Sequence, residues 1–332
     1  MDFFQTIGGT AACRKLAEAF YVPVGRDPLL RPFFPGKTFK CAIEAFTAFL
    51  VQFLGGPSED SQLRWWLSLR ESHQRFKIEQ KHRDAWMGLM IESLDDVGIE
   101  EPARAALRSF FERSSAYIVD REPPGECPHQ ELARRWETQK ALDSAVAAVR
   151  HGDAARAIAL AENCAPAVFP GLLALMIGSG NGALLEFVHR ELSRDQSLVH
   201  QLYNGRTLLH TAAGAGSLTT AELLLSLGAD PNALDGGGHT PLYCLGNECR
   251  GSGCADLVRA LIRGGAQVDA DDGVMRCTAL HMAARRGNVE VAAALLECGA
   301  QVDARDRRGD TPLRRALNCR KPDVAALLRS YV

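Results

Sequence analysis

The residue best placed for chemistry is His73, in Leu69-Arg70-Glu71-Ser72-His73-Gln74-Arg75-Phe76-Lys77-Ile78. It follows the Leu67 and Leu69 pair and precedes Phe76 and Ile78, so it can sit at the rim of an apolar pocket with one ring nitrogen pointing in. Imidazole is the commonest nitrogen ligand of iron, and haem iron is often held by a single histidine. A lone histidine on a half-apolar face is also a common structural residue, so both readings stand at this point. A second set is Cys244, Cys249, Cys254 and Cys277, which could converge on zinc, although no Cys-x-x-Cys pair occurs among them. The alternative is buried cysteine in a helical core. No nucleophile–base pair, phosphate-binding loop or paired-carboxylate site stands out.

The elements that position these residues belong to a chain of 332 residues, enough for about two domains. With 46% hydrophobic and 23% charged residues it has an ordinary globular composition. A formal net charge of −2 and the lack of a Lys/Arg block argue against a nucleic-acid or anionic membrane partner. The opening Met1-Asp2-Phe3-Phe4-Gln5 has no basic segment leading into an apolar run, and no stretch reaches the ~18 apolar residues of a membrane span. The ten cysteines are scattered, which suggests reduced thiols and a cytoplasmic location.

Residues 1–120 read as all-α. Gly8-Gly9 separates a very short helix from a second over Cys13–Tyr21, and Pro32 and Pro35 break the chain around Phe33-Phe34. Phe39, Ala42, Ile43, Phe46, Phe49, Leu50 and Phe53 recur at three- and four-residue spacing, predicting a helix over Thr38–Phe53 that Gly55-Gly56-Pro57 ends. Amphipathic helices are predicted over Lys81–Val97 and Pro102–Ile118. Residues 121–138 read as a linker, beginning with Arg121-Glu122-Pro123-Pro124-Gly125. Trp136, in a helix-compatible stretch, is a candidate for docking the two halves together.

In this order, Ile7-Gly8-Gly9, Phe20-Tyr21, Leu29-Leu30-Arg31-Pro32, Phe34-Pro35, Phe49-Leu50 with Gly55-Gly56-Pro57, Leu69-Arg70, His73 with Phe76, and Arg83-Asp84-Ala85-Trp86 resemble a truncated haemoglobin of the group II type. The resemblance implies a haem held by His73 as proximal ligand. It makes Tyr21 the distal tyrosine and Trp86 a second donor, both able to reach dioxygen or another diatomic ligand. It places Phe34 against the porphyrin and Ala42 and Phe46 on the haem-facing side of the distal helix. Phe76 lies beside the ligand, and Arg70, with Arg75 and Lys77, is a candidate partner for the propionates or part of a solvated basic face. Two departures concern the loop path. Arg75 stands where the family often has the proline of His-x-Pro-Phe, and Arg64-Trp65-Trp66-Leu67 replaces its Tyr and Gly-His-Pro signals.

Residues 139–332 repeat. Thr207-Leu208-Leu209-His210, Thr240-Pro241-Leu242-Tyr243, Thr278-Ala279-Leu280-His281 and Thr311-Pro312-Leu313-Arg314 start successive units at intervals of 33, 38 and 33 residues. Gly228-Ala229, Gly265-Ala266 and Gly299-Ala300 close the second helices. This resembles the ankyrin repeat. Threonine caps each first helix, and proline is tolerated in its first turn. Weaker units over Leu142–Ala165 and Leu172–Leu192 bring the total to about six, with degenerate outer ones. The fold class is therefore all-α: a truncated globin followed by an ankyrin solenoid with short β-hairpin loops. His210 and His281 read as structural residues that bond loop backbone. The implied functions are a gas or redox sensor whose ankyrin repeats bind a protein, a haem redox enzyme (nitric-oxide dioxygenase or peroxidase-like), or a scaffold whose globin has lost haem.

Overall fold

The computed structural model describes residues 2–57, 68–121, 129–164, 166, 168–251 and 253–331. Arg64, Trp65, Trp66 and Leu67 lie outside the described residues. Two units are present, one of Met1–Ala147 with Leu160–Ala167, the other of Ala148–Ala159 with Val168–Val332.

The first unit opens with α1 (Phe3–Thr6), capped by Asp2, whose carboxylate accepts from the Gln5 N–H at 2.8 Å. Gly8 at φ +100° turns the chain into α2 (Gly9–Val24), which starts earlier than the apolar spacing predicts because glycine supplies the left-handed turn. A 3-10 turn at Arg31–Phe33 leads to α3 (Lys40–Phe53). Then follow α4 (Leu69–His73), α5 (Gln80–Asp96) and α6 (Ala103–Ile118). Next, α7 (Gln130–His151) starts inside the stretch expected as linker.

The N-terminal part of α7 is built into this unit. Leu132 and Trp136 join the same buried cluster as Leu16, Phe20, Leu50 and Phe110. Trp136 meets the Phe110 ring at 6.1 Å and the Tyr117 ring edge-on at 5.4 Å, so its indole serves the first unit's core. The Arg135 guanidinium lies over Gly55, where an added Cβ would stand 2.2 Å from it. Gly55, at φ +87°, thus ends α3 and leaves room for α7.

In the second unit α7 turns at Gly152 into α8 (Ala154–Ala161). Helix pairs follow: α9 (Phe169–Ser179) with α10 (Gly182–Arg194), α11 (Leu208–Ala215) with α12 (Leu218–Ser226), and α13 (Pro241–Glu248) with α14 (Cys254–Arg263). They continue with α15 (Ala279–Arg286) and α16 (Val289–Glu297), then α17 (Pro312–Asn318) and α18 (Pro322–Arg329). First helices α9, α11, α13, α15 and α17 stack in one layer, and α10, α12, α14, α16 and α18 in the other. Each unit buries its apolar face only against its neighbours, which makes the array stable as a stack.

The expected β-hairpins are reduced, among the described residues, to the single bridges Tyr203–Arg206 and Asp271–Thr278. Carboxylates shape the loops instead. The Asp235 carboxylate accepts from Gly237 and His239 N–H, that of Asp272 from Met275 and Cys277, and that of Asp306 from Arg308 and Asp310. With their backbone N–H groups taken up by these side chains, the loops have little left for a strand ladder.

The cysteine expectations are corrected. Cys249 and Cys254 are joined in a disulfide that closes the inserted loop between α13 and α14, with Cα atoms 6.3 Å apart. Cys244 and Cys277 are free thiols, and no group of three or more metal-ligating side chains occurs among the described residues. Two of the four cysteines that could have converged on zinc thus bond to each other.

Candidate functional site

His73 is the last residue of α4, a short helix whose N-cap is Ser68, with Oγ accepting from the Glu71 N–H at 2.9 Å. Its Nδ1 lies 2.8 Å from the Leu69 carbonyl oxygen, one turn back. A carbonyl only accepts, so Nδ1 carries the proton and donates. Ser72 Oγ donates to the same carbonyl at 2.7 Å and lies 2.9 Å from Nδ1. In the neutral ring Nε2 then keeps its lone pair, and among the described residues it has no hydrogen-bond partner. Burial pushes the His73 pKa below its ordinary value; the Leu69 bond and Asp143 oppose this, and Arg75 adds to it. The neutral imidazole is the form that ligates a metal.

Aromatic rings gather on α2, α3 and α5. Tyr21 meets Phe34 edge-on at 5.3 Å, stacks on Phe39 at 5.4 Å and touches Phe46 at 6.5 Å. Phe46 also contacts Phe20 at 6.0 Å and Phe111 at 6.2 Å. Trp86 packs on Phe20 at 5.3 Å and Phe111 at 5.7 Å. Phe34, Ala42, Phe46, Phe76 and Trp86 are only half-buried, so the apolar walls are incompletely covered. Tyr21 is buried (9% exposed), and burial raises its pKa, keeping the phenol protonated as a donor. Among the described residues neither the Tyr21 hydroxyl nor the Trp86 indole N–H has a hydrogen-bond acceptor. A surface groove of about 440 Å³, lined by Arg14, Glu18, Tyr21, Phe39 and Ile43 among others, opens beside the phenol.

Backbone contacts set these rings in place. Arg31 donates to the carbonyls of Phe34 and, at 2.9 Å, Gly36, which fixes the Phe34 corner. Arg83 donates to Ser115 Oγ at 3.2 Å and to the Glu112 carbonyl at 3.3 Å, tying the start of α5, and with it Trp86, to α6.

A family model described as bacterial-like globin matches residues 2–119. One described as ankyrin repeats (3 copies) matches residues 172–272 and 245–331. The chain is similar to the group 2 truncated hemoglobin YjbI of Bacillus subtilis (strain 168), 32% identical over 112 residues, covering 34% of this chain and 84% of that protein. It is also similar to cyclin-dependent kinase 4 inhibitor B of Mus musculus, 32% identical over 122 residues, covering 37% of this chain and 90% of that protein. Ankyrin repeat and SOCS box protein 18 of Homo sapiens is 41% identical over 146 residues, which cover 35% of this chain and only 31% of that protein. The chain is a truncated haemoglobin fused to ankyrin repeats.

Within the truncated-haemoglobin unit the structure brings Tyr21, Phe34, Phe46 and Trp86 into one aromatic cluster. Ala42 lies one turn before Phe46 on α3. Phe76 packs edge-on against Phe33 at 5.7 Å, and the Arg75 guanidinium lies over the Phe76 ring, 4.6 Å from its centroid. Arg70 is engaged elsewhere. Its guanidinium lies 4.2 Å from the Tyr117 ring centroid, donates to the Tyr117 carbonyl at 3.0 Å and pairs with Asp120 at 2.7 Å. Sequence reasoning gave no place in the site to Phe39, which stacks on Tyr21, or to Asp143, which accepts from the Leu69 and Arg70 N–H groups at the start of α4. A four-residue spacing from Gln139 was the one local sign of Asp143's role.

The ankyrin array shows its polar pattern plainly. His210 and His281 sit in capping boxes with Thr207 and Thr278. Their Nε2 atoms donate across to the next loop, to the carbonyls of His239 at 2.9 Å and Asp310 at 3.1 Å. These histidines are structural. No helix among the described residues is long and apolar enough to cross a membrane.

Proposed function

We propose that the first unit holds one haem through His73 Nε2 and binds dioxygen or another diatomic gas on the side of Tyr21 and Trp86, while the ankyrin repeats bind a protein partner, as a cytoplasmic gas or redox sensor. The observation that carries this reading is the state of His73: Nδ1 is tied to the Leu69 carbonyl and Nε2 is left with a lone pair. A backbone acceptor on the far nitrogen is the usual device for orienting a ligating imidazole and raising its basicity. The surroundings fit a haem. Half-buried Phe34, Ala42, Phe46, Phe76 and Trp86 offer apolar surface for a flat macrocycle, and two N–H or O–H donors without partners among the described residues fit a polar gas ligand. When bound, haem supplies an iron that takes a diatomic ligand. Tyr21 and Trp86 would supply hydrogen-bond donors to such a ligand, and the phenylalanines would limit water.

The test is a Soret band in the purified full-length chain after reconstitution, lost in His73→Ala. No haem uptake by the wild-type chain overturns the reading. Slow gas release with negligible nitric-oxide turnover supports a sensor, and rapid turnover replaces that role with an enzymatic one.

A further inference from the structure

Asp143 is a buried carboxylate (4% exposed) on α7, beyond residue 119 where the globin match ends. Its Oδ1 accepts from the Leu69 N–H and from Gln139 Nε2, both at 2.9 Å, and its Oδ2 accepts from the Arg70 N–H at 3.2 Å. The Tyr117 side chain also donates to it. Every partner is a donor, so the group serves as an acceptor on both oxygens, the arrangement that suits a carboxylate. Burial pushes its pKa above the ordinary carboxylate value, and the donors offset that only in part.

The Arg70 N–H and the Leu69 carbonyl are the two ends of a single peptide group. One end donates to Asp143 Oδ2 at 3.2 Å, and the other accepts from His73 Nδ1 at 2.8 Å. Negative charge on the N–H side shifts amide electron density onto the carbonyl oxygen and makes it a stronger acceptor, since chained hydrogen bonds polarise one another. A stronger acceptor at Nδ1 places more electron density on Nε2. The second bond, to the Leu69 N–H, fixes the first turn of α4 against α7.

We propose that Asp143 is a positioning residue for His73, acting through the Leu69–Arg70 peptide group to hold the Nδ1-protonated tautomer and to raise the donor strength of Nε2. This rests on the reading of His73 as the haem ligand. It makes α7, an element outside the globin match, part of the proximal side of the site. A simple helix cap would need only acceptor oxygens, whereas this role needs the charge.

The test uses the full-length chain. Without haem, nitrogen NMR of the His73 ring should show a proton on Nδ1 in the wild type and a loss of that preference in Asp143→Ala. With haem in the ferrous, ligand-free form, the iron–histidine stretching band should move to lower frequency in Asp143→Asn, which keeps an acceptor and removes the charge. Haem should then transfer to a scavenging apoglobin about 10-fold faster, the scale seen when the hydrogen-bond partner of a ligating histidine is lost. Tyr117→Phe removes a competing donor from the carboxylate and should move the band the opposite way, which covers the case in which the Asp143 variants do not fold. Bands of Asp143→Asn and Tyr117→Phe at the wild-type position, or an Nε2-protonated His73 in the haem-free wild type, overturn the proposal. A wild-type chain that takes up no haem overturns the ligand reading and this proposal with it, whereas haem uptake through His73 with an unmoved band overturns the proposal alone.

Discussion

Tyr21→Phe should speed ligand release without destabilising the haem-free fold. The ring of Tyr21 is held by Phe34, Phe39 and Phe46 at centroid distances of 5.3, 5.4 and 6.5 Å, and phenylalanine keeps all three contacts. What is lost is one hydroxyl that has no acceptor among the described residues. A donor to a group bearing partial charge contributes about 1.5–3 kcal/mol. At about 1.4 kcal/mol per decade, gas release should become roughly ten- to a hundred-fold faster. In the haem-free chain the same change removes a poorly satisfied polar group from a buried position, so stability should be unchanged or higher by up to about 1 kcal/mol. The assays are stopped-flow ligand replacement on the haem-loaded chain and denaturant unfolding of the haem-free chain. Unchanged release together with a loss of stability would refute the reasoning, because it would mean that the hydroxyl bonds within the protein and not to the ligand.

Two further outcomes follow from the packing. His210 and His281 are buried and their pKa values are lowered by that burial, so the unfolded chain binds protons that the folded array does not. Stability of the array should therefore be full above pH ~6.5 and fall as pH drops from there toward the folded pKa values. Urea unfolding across that window checks the sign, and the double variant His210→Gln, His281→Gln should be less stable yet show a shallower pH slope; an identical slope would exclude these histidines as the source. Trp136→Ala removes an indole that is 3% exposed in the first unit's core, and should destabilise that unit by about 3–5 kcal/mol. A loss below about 1 kcal/mol in chemical unfolding would show that α7 merely rests on the unit.

Short-range order in this protein is legible in sequence, and long-range pairing is not. The phenylalanine spacing on α3 and the Thr-x-Leu starts of the repeats each encode a local periodicity, and those elements stand where the spacing predicts. The His73 bond to Leu69 is likewise local, a four-residue step along one helix turn. Helix α7 lacks such a signal. Its faces mix Glu131, Arg134, Arg135 and Lys140 with Leu132 and Trp136, so no apolar stripe marks it, and its first half reads as linker. What holds it is distant in the chain: Trp136 packs against Phe110 and Tyr117, and Asp143 bonds residues 73 and 74 positions away. The same reasoning explains Arg70. Its position near His73 makes it a candidate partner for propionates, and in the fold its guanidinium meets Tyr117 and Asp120 at the end of α6, which only the fold brings near. Family motifs alone thus point to His73, Tyr21 and Trp86 as candidates, and leave out Asp143, which lies beyond the globin match and bonds the first turn of α4.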